Sequence, residues 1–100
     1  MDRMNGTTWW IDSASAPVLD AIITDERIAF DVTCDDYAYT VVLVPAPAGP
    51  PWWKATWTCK TDGSRGSAAA RMYKSSDQGI VLAGHWKEDG EHTWITELRR

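Results

Sequence analysis

The sequence lacks most of the signals that mark an enzyme or a membrane protein. Its 100 residues contain no phosphate-binding glycine loop, no GxSxG nucleophile elbow and no HExxH zinc motif. No apolar run approaches the roughly eighteen residues that are needed to cross a bilayer. We therefore expect a non-enzymatic protein with no catalytic residue, no cofactor and no membrane partner.

Cysteine is scarce, and an N-terminal targeting signal is missing. Cys34 and Cys59 are too far apart in sequence for a CxxC redox or zinc motif. The opening segment, MDRMNGTTWWIDSASAP, has no apolar stretch of signal-peptide length, so we expect a cytoplasmic location. In that reducing compartment the two cysteines are expected to be free thiols near strand ends, and a disulfide would require neighbouring strands.

Tryptophan is abundant, with seven residues in a chain that is 44% hydrophobic. A chain of this length and composition can form one domain with its own core. The formal net charge of −4 is unevenly distributed. Residues 1–50 hold eight acidic and two basic side chains (−6), whereas residues 51–100 hold six acidic and eight basic ones (+2). The acidic total disfavours non-specific nucleic-acid binding, but the second half leaves room for a local basic patch.

Apolar and polar residues alternate with the two-residue period of β-strands along the whole chain. The alternation predicts eight strands, near residues 7–12, 17–24, 27–34, 37–44, 52–60, 66–74, 80–87 and 91–99. The short connections predict an all-β fold, a small antiparallel meander that closes into a barrel or a flattened β-sandwich. We expect a single domain, residues 1–100, with a Pro-rich loop at residues 45–51. Residues 13–23 also fit a short helix, with Ser15 as its cap and Pro17 in its first turn.

Both histidines lie in the stretch GHWKEDGEHTW, residues 84–94. A three-residue loop at residues 88–90 keeps core and solvent positions on separate faces, which a two-residue turn does not. His92 then faces inward opposite Trp86, and His85 faces outward. Two histidines on opposite faces cannot readily share a metal ion, so no metal site is expected.

The requirement that core and solvent positions stay on separate faces also predicts the registers of two further hairpins. Loops at residues 61–64 and 77–79 place large side chains opposite small ones on the inward face, as close packing requires. The predicted pairs are Trp57 with Ala68, Ala55 with Ala70, Trp53 with Met72, Ala70 with Trp86 and Met72 with Gly84.

In the first half, turns at residues 24–27 and 35–36 align one apolar inward face. Its members are Leu19, Ala21, Ile23, Ile28, Phe30, Val32, Tyr39, Val41 and Leu43. The same register sets Asp20 opposite Asp31, and like charges across a ladder repel. Either the assignment of residues 13–23 is wrong, or the two carboxyls share a proton or a cation.

The predicted registers place two rows on the outer face of the second half. One row is apolar and aromatic, and the row beside it is mainly basic. The first contains Trp52, Tyr73, Ala83 and Ile95, and the second contains Lys54, Arg71, His85 and Thr93. Trp, Tyr and Arg are the side chains that most often anchor interfaces, so the predicted binding residues are Trp52, Lys54, Arg71, Tyr73, His85 and Ile95. Alternatively, the Pro-rich loop, the N-terminal segment or a second copy of the chain covers this face.

The inward face is rich in aromatic residues, namely Trp53, Trp57, Trp86, Trp94, Phe30 and Tyr39. Side chains of this size favour a filled interior, although a barrel of eight strands has room for one small ligand. The start Gly6-Thr7-Thr8-Trp9 and the end Arg99-Arg100 resemble calycin-type barrels, in which a tryptophan near the first strand meets a basic residue from the last. The resemblance implies a barrel and carries no function.

The sequence therefore predicts a binding module of adaptor or inhibitor type that docks a macromolecular partner through its aromatic and basic face. A protein partner or self-association is expected, and nucleic acid is disfavoured because the chain is acidic. The alternative function is a small-ligand carrier that holds an apolar molecule in the tryptophan-lined interior.

Overall fold

The computed structural model describes residues 2–100, which form eight antiparallel strands. The strands are β1 (Asp2–Trp10), β2 (Ala14–Ile23), β3 (Ile28–Cys34), β4 (Tyr37–Pro45), β5 (Trp52–Cys59), β6 (Arg65–Lys74), β7 (Ile80–Lys87) and β8 (Glu91–Arg99). Each strand pairs with the next, and β1 also pairs with β8, so the sheet closes into a barrel. The predicted all-β meander is confirmed, in its barrel form. Within residues 2–100 no helix is long and apolar enough to cross a membrane.

Residues 13–23, for which a short helix was the alternative, contain strand β2, so the helical alternative is wrong. A β-bulge interrupts β2 at Asp20, which has a left-handed backbone (φ 56°) and donates its N–H to Asn5 Oδ1 at 2.9 Å. The extra residue exchanges inward and outward positions along the strand. Val18 is therefore buried, and Leu19, which was predicted to face inward, is 68% exposed.

The β2–β3 register next to the turn is as predicted, with Ile23 opposite Ile28, but the ladder ends at Ile22 and Ala29, so Asp20 at the bulge does not pair with Asp31. Asp31 lies opposite Thr40, as predicted, and accepts a hydrogen bond from its hydroxyl at 2.8 Å. Lys60 Nζ lies 3.5 Å from the other Asp31 oxygen. The carboxylate is thus balanced by a cation and a hydroxyl donor instead of facing a second carboxylate.

The β7–β8 hairpin closes with the predicted three-residue loop. Lys87 lies opposite Glu91, and Gly84 lies opposite Trp94. Gly90 has a positive φ of 119°, and the preceding loop residue, an aspartate, has a φ of 51°. Aspartate tolerates this conformation better than most residues, which lets the loop reverse the chain within three positions.

Two other hairpins have registers that differ by two residues from the predicted ones, because each loop begins one residue earlier in the chain. The observed pairs are Trp57 with Gly66, Ala55 with Ala68, Trp53 with Ala70, Ala70 with Gly84, Ala68 with Trp86 and Met72 with Leu82. A Cβ on Gly66 would lie 2.3 Å from Trp57 Cζ2, so the indole fills the space that a side chain would need. In the β5–β6 turn, Asp62 Oδ1 accepts the N–H of Ser64 and stabilises the observed turn. A shift of two residues keeps every side chain on its predicted face but changes its neighbours.

Aromatic rings fill the barrel interior. Trp86 is fully buried, and its ring centroid lies 5.3 Å from those of Trp10, Trp57 and Trp94 and 5.8 Å from that of Tyr39. Aromatic pairs of this kind each contribute about 0.5–1.5 kcal/mol beyond the area that they bury. The predicted inward positions of the aromatic residues are confirmed, with Trp53 half-buried and the others buried.

A small polar cluster lies in the core where β1 meets β8. Thr8 and Thr96 are fully buried, and their hydroxyls form a hydrogen bond of 2.7 Å. Trp94 Nε1 donates to Thr8 Oγ1 at 2.6 Å. These contacts satisfy polar groups that would otherwise destabilise the closing seam of the barrel.

Candidate binding sites

The outer face of β5–β7 holds most of the predicted binding residues and is exposed. Trp52 is 45% and Tyr73 is 49% exposed. The Arg71 guanidinium lies between them, 5.8 Å from the Trp52 ring centroid and 5.3 Å from that of Tyr73. The cation thus lies against two aromatic rings, in a geometry that attracts it to the ring π-electrons.

The shifted registers of the β5–β6 and β6–β7 hairpins change the rows that were predicted on this face. Trp52 lies opposite Arg71 rather than Tyr73, because the β6 strand is displaced by two residues. One observed row contains Trp52, Arg71, Ala83, Ile95 and Trp9, and the adjoining row contains Lys54, Ala69, His85 and Thr93. Tyr73 instead lies opposite Val81. The structure therefore groups Trp52, Arg71 and Tyr73 tightly, whereas Lys54, His85 and Ile95 lie around them.

The charges on this face are of one sign. The outward strand positions of β5, β6 and β7, all in the described part of the chain, carry no carboxylate. Their basic side chains are Lys54, Arg65, Arg71, His85 and Lys87. The neighbouring strand β8 supplies Glu91, whose carboxylate lies 3.6 Å from His85 Nδ1.

The predicted alternative of an internal cover over this face is wrong. Residues 2–10 form β1 within the barrel wall, and Pro45 ends β4 opposite Trp53. The loop residues 46–51 leave Trp52 and Tyr73 about half exposed.

A second candidate site lies at one end of the barrel, which we call the mouth. The β1–β2, β3–β4 and β7–β8 turns surround a cavity of about 370 Å³ there. Four aromatic rings, three carboxylates, a thiol and a histidine are among the groups that line it. They belong to Trp10, Tyr37, Tyr39, Trp86, Asp35, Glu88, Asp89, Cys34 and His92.

Glu88 joins the mouth to the aromatic core. Its two carboxylate oxygens accept hydrogen bonds from Trp86 Nε1 at 2.9 Å and from the Tyr39 hydroxyl at 3.0 Å. Burial, and then the hydrogen bond to Glu88, raise the pKa of Tyr39 well above its usual value. The Tyr39 hydroxyl therefore stays protonated and remains a donor to the carboxylate.

Cys34 lies in the same cavity as a free thiol, and burial raises its pKa. The negative charges of Asp35 and Glu88 raise the pKa further. Cys59 is also a free thiol, as predicted, and β4 separates its strand from that of Cys34. A thiol held in its neutral form is a poor nucleophile.

His92 connects two turns at the mouth. Its Nδ1 lies 3.0 Å from Asp12 Oδ2, and its Nε2 lies 2.9 Å from the backbone carbonyl oxygen of Glu88. The hydrogen bond to Asp12 raises the pKa of His92, and the Glu88 carbonyl adds to that effect. The same bond lowers the pKa of Asp12. Because both ring nitrogens face acceptors, the geometry favours the imidazolium, which leaves neither nitrogen free to act as a general base.

The two histidines lie on opposite faces, as predicted. His85 is exposed on the outer wall, and His92 lies at the mouth. Within residues 2–100 no three His, Cys, Asp or Glu side chains are arranged to hold a metal ion.

The mouth contacts were not predicted, and two of them, Tyr39 with Glu88 and Asp12 with His92, join residues that are distant in sequence. Asp12 and His92 are brought together only when β1 pairs with β8. The alternation marked His92 as inward but contained no signal for its carboxylate partner. The only related signal was the aromatic composition of the inward face.

The contact implied by the calycin resemblance is not formed. Trp9 lies opposite Ile95, whereas Arg99 lies further along the strand pair opposite Asn5. Arg99 forms ion pairs with Glu97 and Asp77 instead.

The opposite end of the barrel contains a cavity of about 590 Å³. Apolar side chains line part of it, including Met4, Ile23, Trp53 and Met72, together with charged groups of both signs.

Comparison of the chain with protein-family models, with curated proteins and with solved structures gave no match.

Proposed function

We propose that this protein is a non-enzymatic binding module, of adaptor or inhibitor type, that docks an acidic protein segment on the outer face of β5–β7. The observation that carries the proposal is the exposed group of Trp52, Arg71 and Tyr73, with the guanidinium held between two rings. These three residue types supply much of the binding energy at protein interfaces. Exposed aromatic surface of this kind is unusual on a protein that has no partner.

The charge of the face indicates the chemistry of the partner. Basic side chains occupy outward positions on all three strands, and within residues 52–87 none of these outward strand positions carries a carboxylate. Glu91 of β8 lies beside two of the basic side chains, His85 and Lys87. A partner with Asp or Glu beside apolar side chains would complement this surface. Complementary charge would also accelerate association and make it dependent on salt concentration.

The closed barrel limits how the partner is recognised. Strands β5, β6 and β7 each pair with a neighbour on both sides over most of their length, so this face offers no free strand edge to which a peptide could add. Recognition would therefore depend on side chains. The exposed Ala69 and half-buried Ala83 lie beside the aromatic group and leave room for a partner to approach the sheet.

The alternative of an apolar ligand at the barrel centre has weaker support. Such a ligand would have to displace Trp86, which is fully buried and stacked against Trp57. The cytoplasmic location remains part of the proposal, supported by the free thiols of Cys34 and Cys59.

The proposal can be tested with fluorescently labelled peptides and measurement of their anisotropy. The probe peptide alternates Glu with Tyr and Leu, and its matched control has Gln in place of each Glu. We expect binding of the acidic peptide to weaken by about tenfold or more on Trp52→Ala or Arg71→Gln. Leu19→Ala and Arg3→Gln are the controls, since both residues are exposed elsewhere on the barrel, and they should leave binding unchanged.

Light scattering on the wild type and on Trp52→Glu separates the proposal from self-association. A wild-type dimer that becomes a folded monomer on Trp52→Glu would assign the face to a second copy and overturn the proposal. Equal binding of the acidic and Gln peptides would also overturn it. Tighter binding of an oligothymidylate than of the acidic peptide would assign the face to single-stranded nucleic acid.

A further inference from the structure

The barrel mouth carries recognition groups of opposite charge to those on the outer face of β5–β7. Asp35, Glu88 and Asp89 line its cavity. Among the lining residues, all of them in the described part of the chain, His92 is the only basic one, and it already faces the Asp12 carboxylate. A cleft lined by charges of one sign concentrates its field and attracts ions of the opposite sign. The cavity therefore favours a cation.

Aromatic rings lie beside these carboxylates. Trp10 and Tyr39 are more than nine-tenths buried and border the inner part of the cavity, whereas Tyr37 is 47% exposed. The negative face of an aromatic ring attracts ammonium groups, and its carbon surface also accommodates an apolar body. The volume of about 370 Å³ lies within the range of small-molecule sites.

Trp10 gives a second, independent indication that the mouth is incomplete without a ligand. The indole N–H groups of Trp57, Trp86 and Trp94 donate to Lys87 O, Glu88 Oε1 and Thr8 Oγ1 respectively. Trp10 Nε1 is buried and, within residues 2–100, is the one buried side-chain nitrogen or oxygen without a hydrogen-bond partner. An unpaired buried donor destabilises a protein, and a ligand that carries an acceptor atom in addition to a positive charge would relieve that cost.

The state of Cys34 is consistent with a negative field at the mouth. Burial, then the charges of Asp35 and Glu88, raise the pKa of its thiol. The same charges that oppose a thiolate at this position would stabilise a positive group placed beside it.

We propose that the barrel mouth binds a small organic ammonium ion that also carries a hydrogen-bond acceptor, with its charge beside Glu88, Asp35 and Asp89, its acceptor at Trp10 Nε1 and its apolar body against Tyr37 and Tyr39. Glu88 is already oriented by the donors Trp86 and Tyr39, and each carboxylate oxygen can accept a further hydrogen bond. The carboxylate is thus positioned before the ligand arrives, which lowers the entropy lost on binding.

This site shares no residue with the outer face of β5–β7, so the two proposals can fail separately. The mouth would take a small cation, and the outer face would take an acidic protein segment. Mutation of Trp52 or Arg71 should therefore leave ammonium binding unchanged.

The experiment uses the full-length protein and three probes of similar shape and different charge. The probes share an ether oxygen as acceptor and are 2-phenoxyethylamine, which is a cation at neutral pH, 2-phenoxyethanol, which is neutral, and phenoxyacetate, which is an anion. Binding is measured by calorimetry, and the site is located from backbone amide shifts in nuclear magnetic resonance spectra. We expect the cation to bind about tenfold more tightly than the neutral probe and to shift amides around residues 34–39 and 88–92.

Two charge-removing variants test the role of the carboxylates. Asp35 and Asp89 both have positive φ values, 53° and 51°, which asparagine also tolerates, so Asp35→Asn with Asp89→Asn removes two charges at little backbone cost. Glu88→Gln removes the third charge. Each change should weaken 2-phenoxyethylamine binding by about threefold to tenfold, while Glu97→Gln, a carboxylate paired with Arg99 outside the mouth, should not alter it.

Several results would overturn this inference. One is binding of the cation no tighter than that of the neutral probe or the anion. Another is a set of shifts centred on Met4, Ile23 and Trp53, which would place the ligand in the opposite cavity. Absence of any 2-phenoxyethylamine binding at millimolar concentration, with the native spectrum intact, would equally exclude the site.

Discussion

The mouth and the outer face of β5–β7 both combine aromatic rings with charged groups, but the charges contact different parts of the rings. At the mouth, the Glu88 carboxylate accepts hydrogen bonds from the indole N–H of Trp86 and the hydroxyl of Tyr39. On the outer face, the Arg71 guanidinium lies near the rings of Trp52 and Tyr73. An aromatic ring is positive at its edge and negative on its face, so anions are stabilised at the first position and cations at the second.

The two regions also differ in burial, and this decides what each contact does for the protein. Trp86 is fully buried, so its packing and its hydrogen bond to Glu88 contribute to the stability of the fold. Trp52 and Tyr73 are about half exposed, and the attraction of Arg71 to them is weakened by water and salt. The buried set stabilises the barrel, whereas the exposed set is available to a partner.

The largest effect that distinguishes the two regions is expected from Trp86→Ala. Removal of a fully buried indole at the centre of four other rings should lower the free energy of unfolding by about 3–5 kcal/mol, as large-to-small core changes do. Urea denaturation measures this loss, and Trp86→Phe is the control that retains most of the volume. A loss below about 1 kcal/mol would indicate that the interior is not close-packed.

A smaller effect is expected from Gly66→Ala, which tests the observed β5–β6 register. The new Cβ would lie 2.3 Å from the Trp57 ring and should destabilise the protein by about 1–3 kcal/mol through overpacking. Ser67→Ala, at the next, exposed position, should change stability by no more than about 0.5 kcal/mol. Equal effects of the two changes would restore the register with Ala68 opposite Trp57.

The His92–Asp12 pair at the mouth should make stability depend on pH in a defined window. Because the folded-state pKa of His92 is raised above 6.5, its contribution is fully present below pH 6.5 and is lost as pH rises through the raised pKa. Because the folded-state pKa of Asp12 is lowered below 3.8, its contribution is present above pH 3.8 and is lost as pH falls through the lowered pKa. The pair therefore stabilises the fold most between pH 3.8 and 6.5.

This dependence can be measured as the difference in Tm between the wild type and His92→Asn across a pH series. The difference should be largest near about pH 5 and should shrink on either side. His85→Gln serves as the matched histidine control, because His85 lies on the outer wall. A Tm difference that is independent of pH would contradict the charged form of His92.

The smallest effect on stability is expected from Trp52→Ala. Its ring is 45% exposed and contributes an exposed cation–π contact, so the loss should not exceed about 1 kcal/mol. The same urea experiment measures it, and the fluorescence component from exposed tryptophan should fall. A loss comparable to that of Trp86→Ala would mean that the outer face is part of the core and would remove the basis of the docking proposal.

Local pattern was enough to predict the faces of most strands. Alternation is a property of neighbouring residues, so it placed Trp57, Trp86 and Trp94 inside and Trp52 and Tyr73 outside. The β7–β8 register was also predictable, because its loop is short and only one loop length keeps the two faces uniform. The predicted registers of the β5–β6 and β6–β7 hairpins were wrong by two residues. Because side chains alternate with a period of two, this error left every side chain on its predicted face.

The neighbours of each side chain depended on the tertiary structure. The bulge at Asp20 requires Asn5 of the adjacent strand, and it turned Leu19 outward against the pattern. The approach of Asp12 to His92 requires β1 to meet β8, which only closure of the barrel achieves.

The sequence by itself thus determined the strands, the inward and outward faces and the aromatic composition of the core. Tertiary structure decided the closure of the barrel, the placement of Arg71 between two rings and the groups that meet at the mouth. The physical reason is the sequence separation over which each feature is determined. Alternation is set by adjacent residues, whereas these contacts depend on how strands distant in sequence pack together.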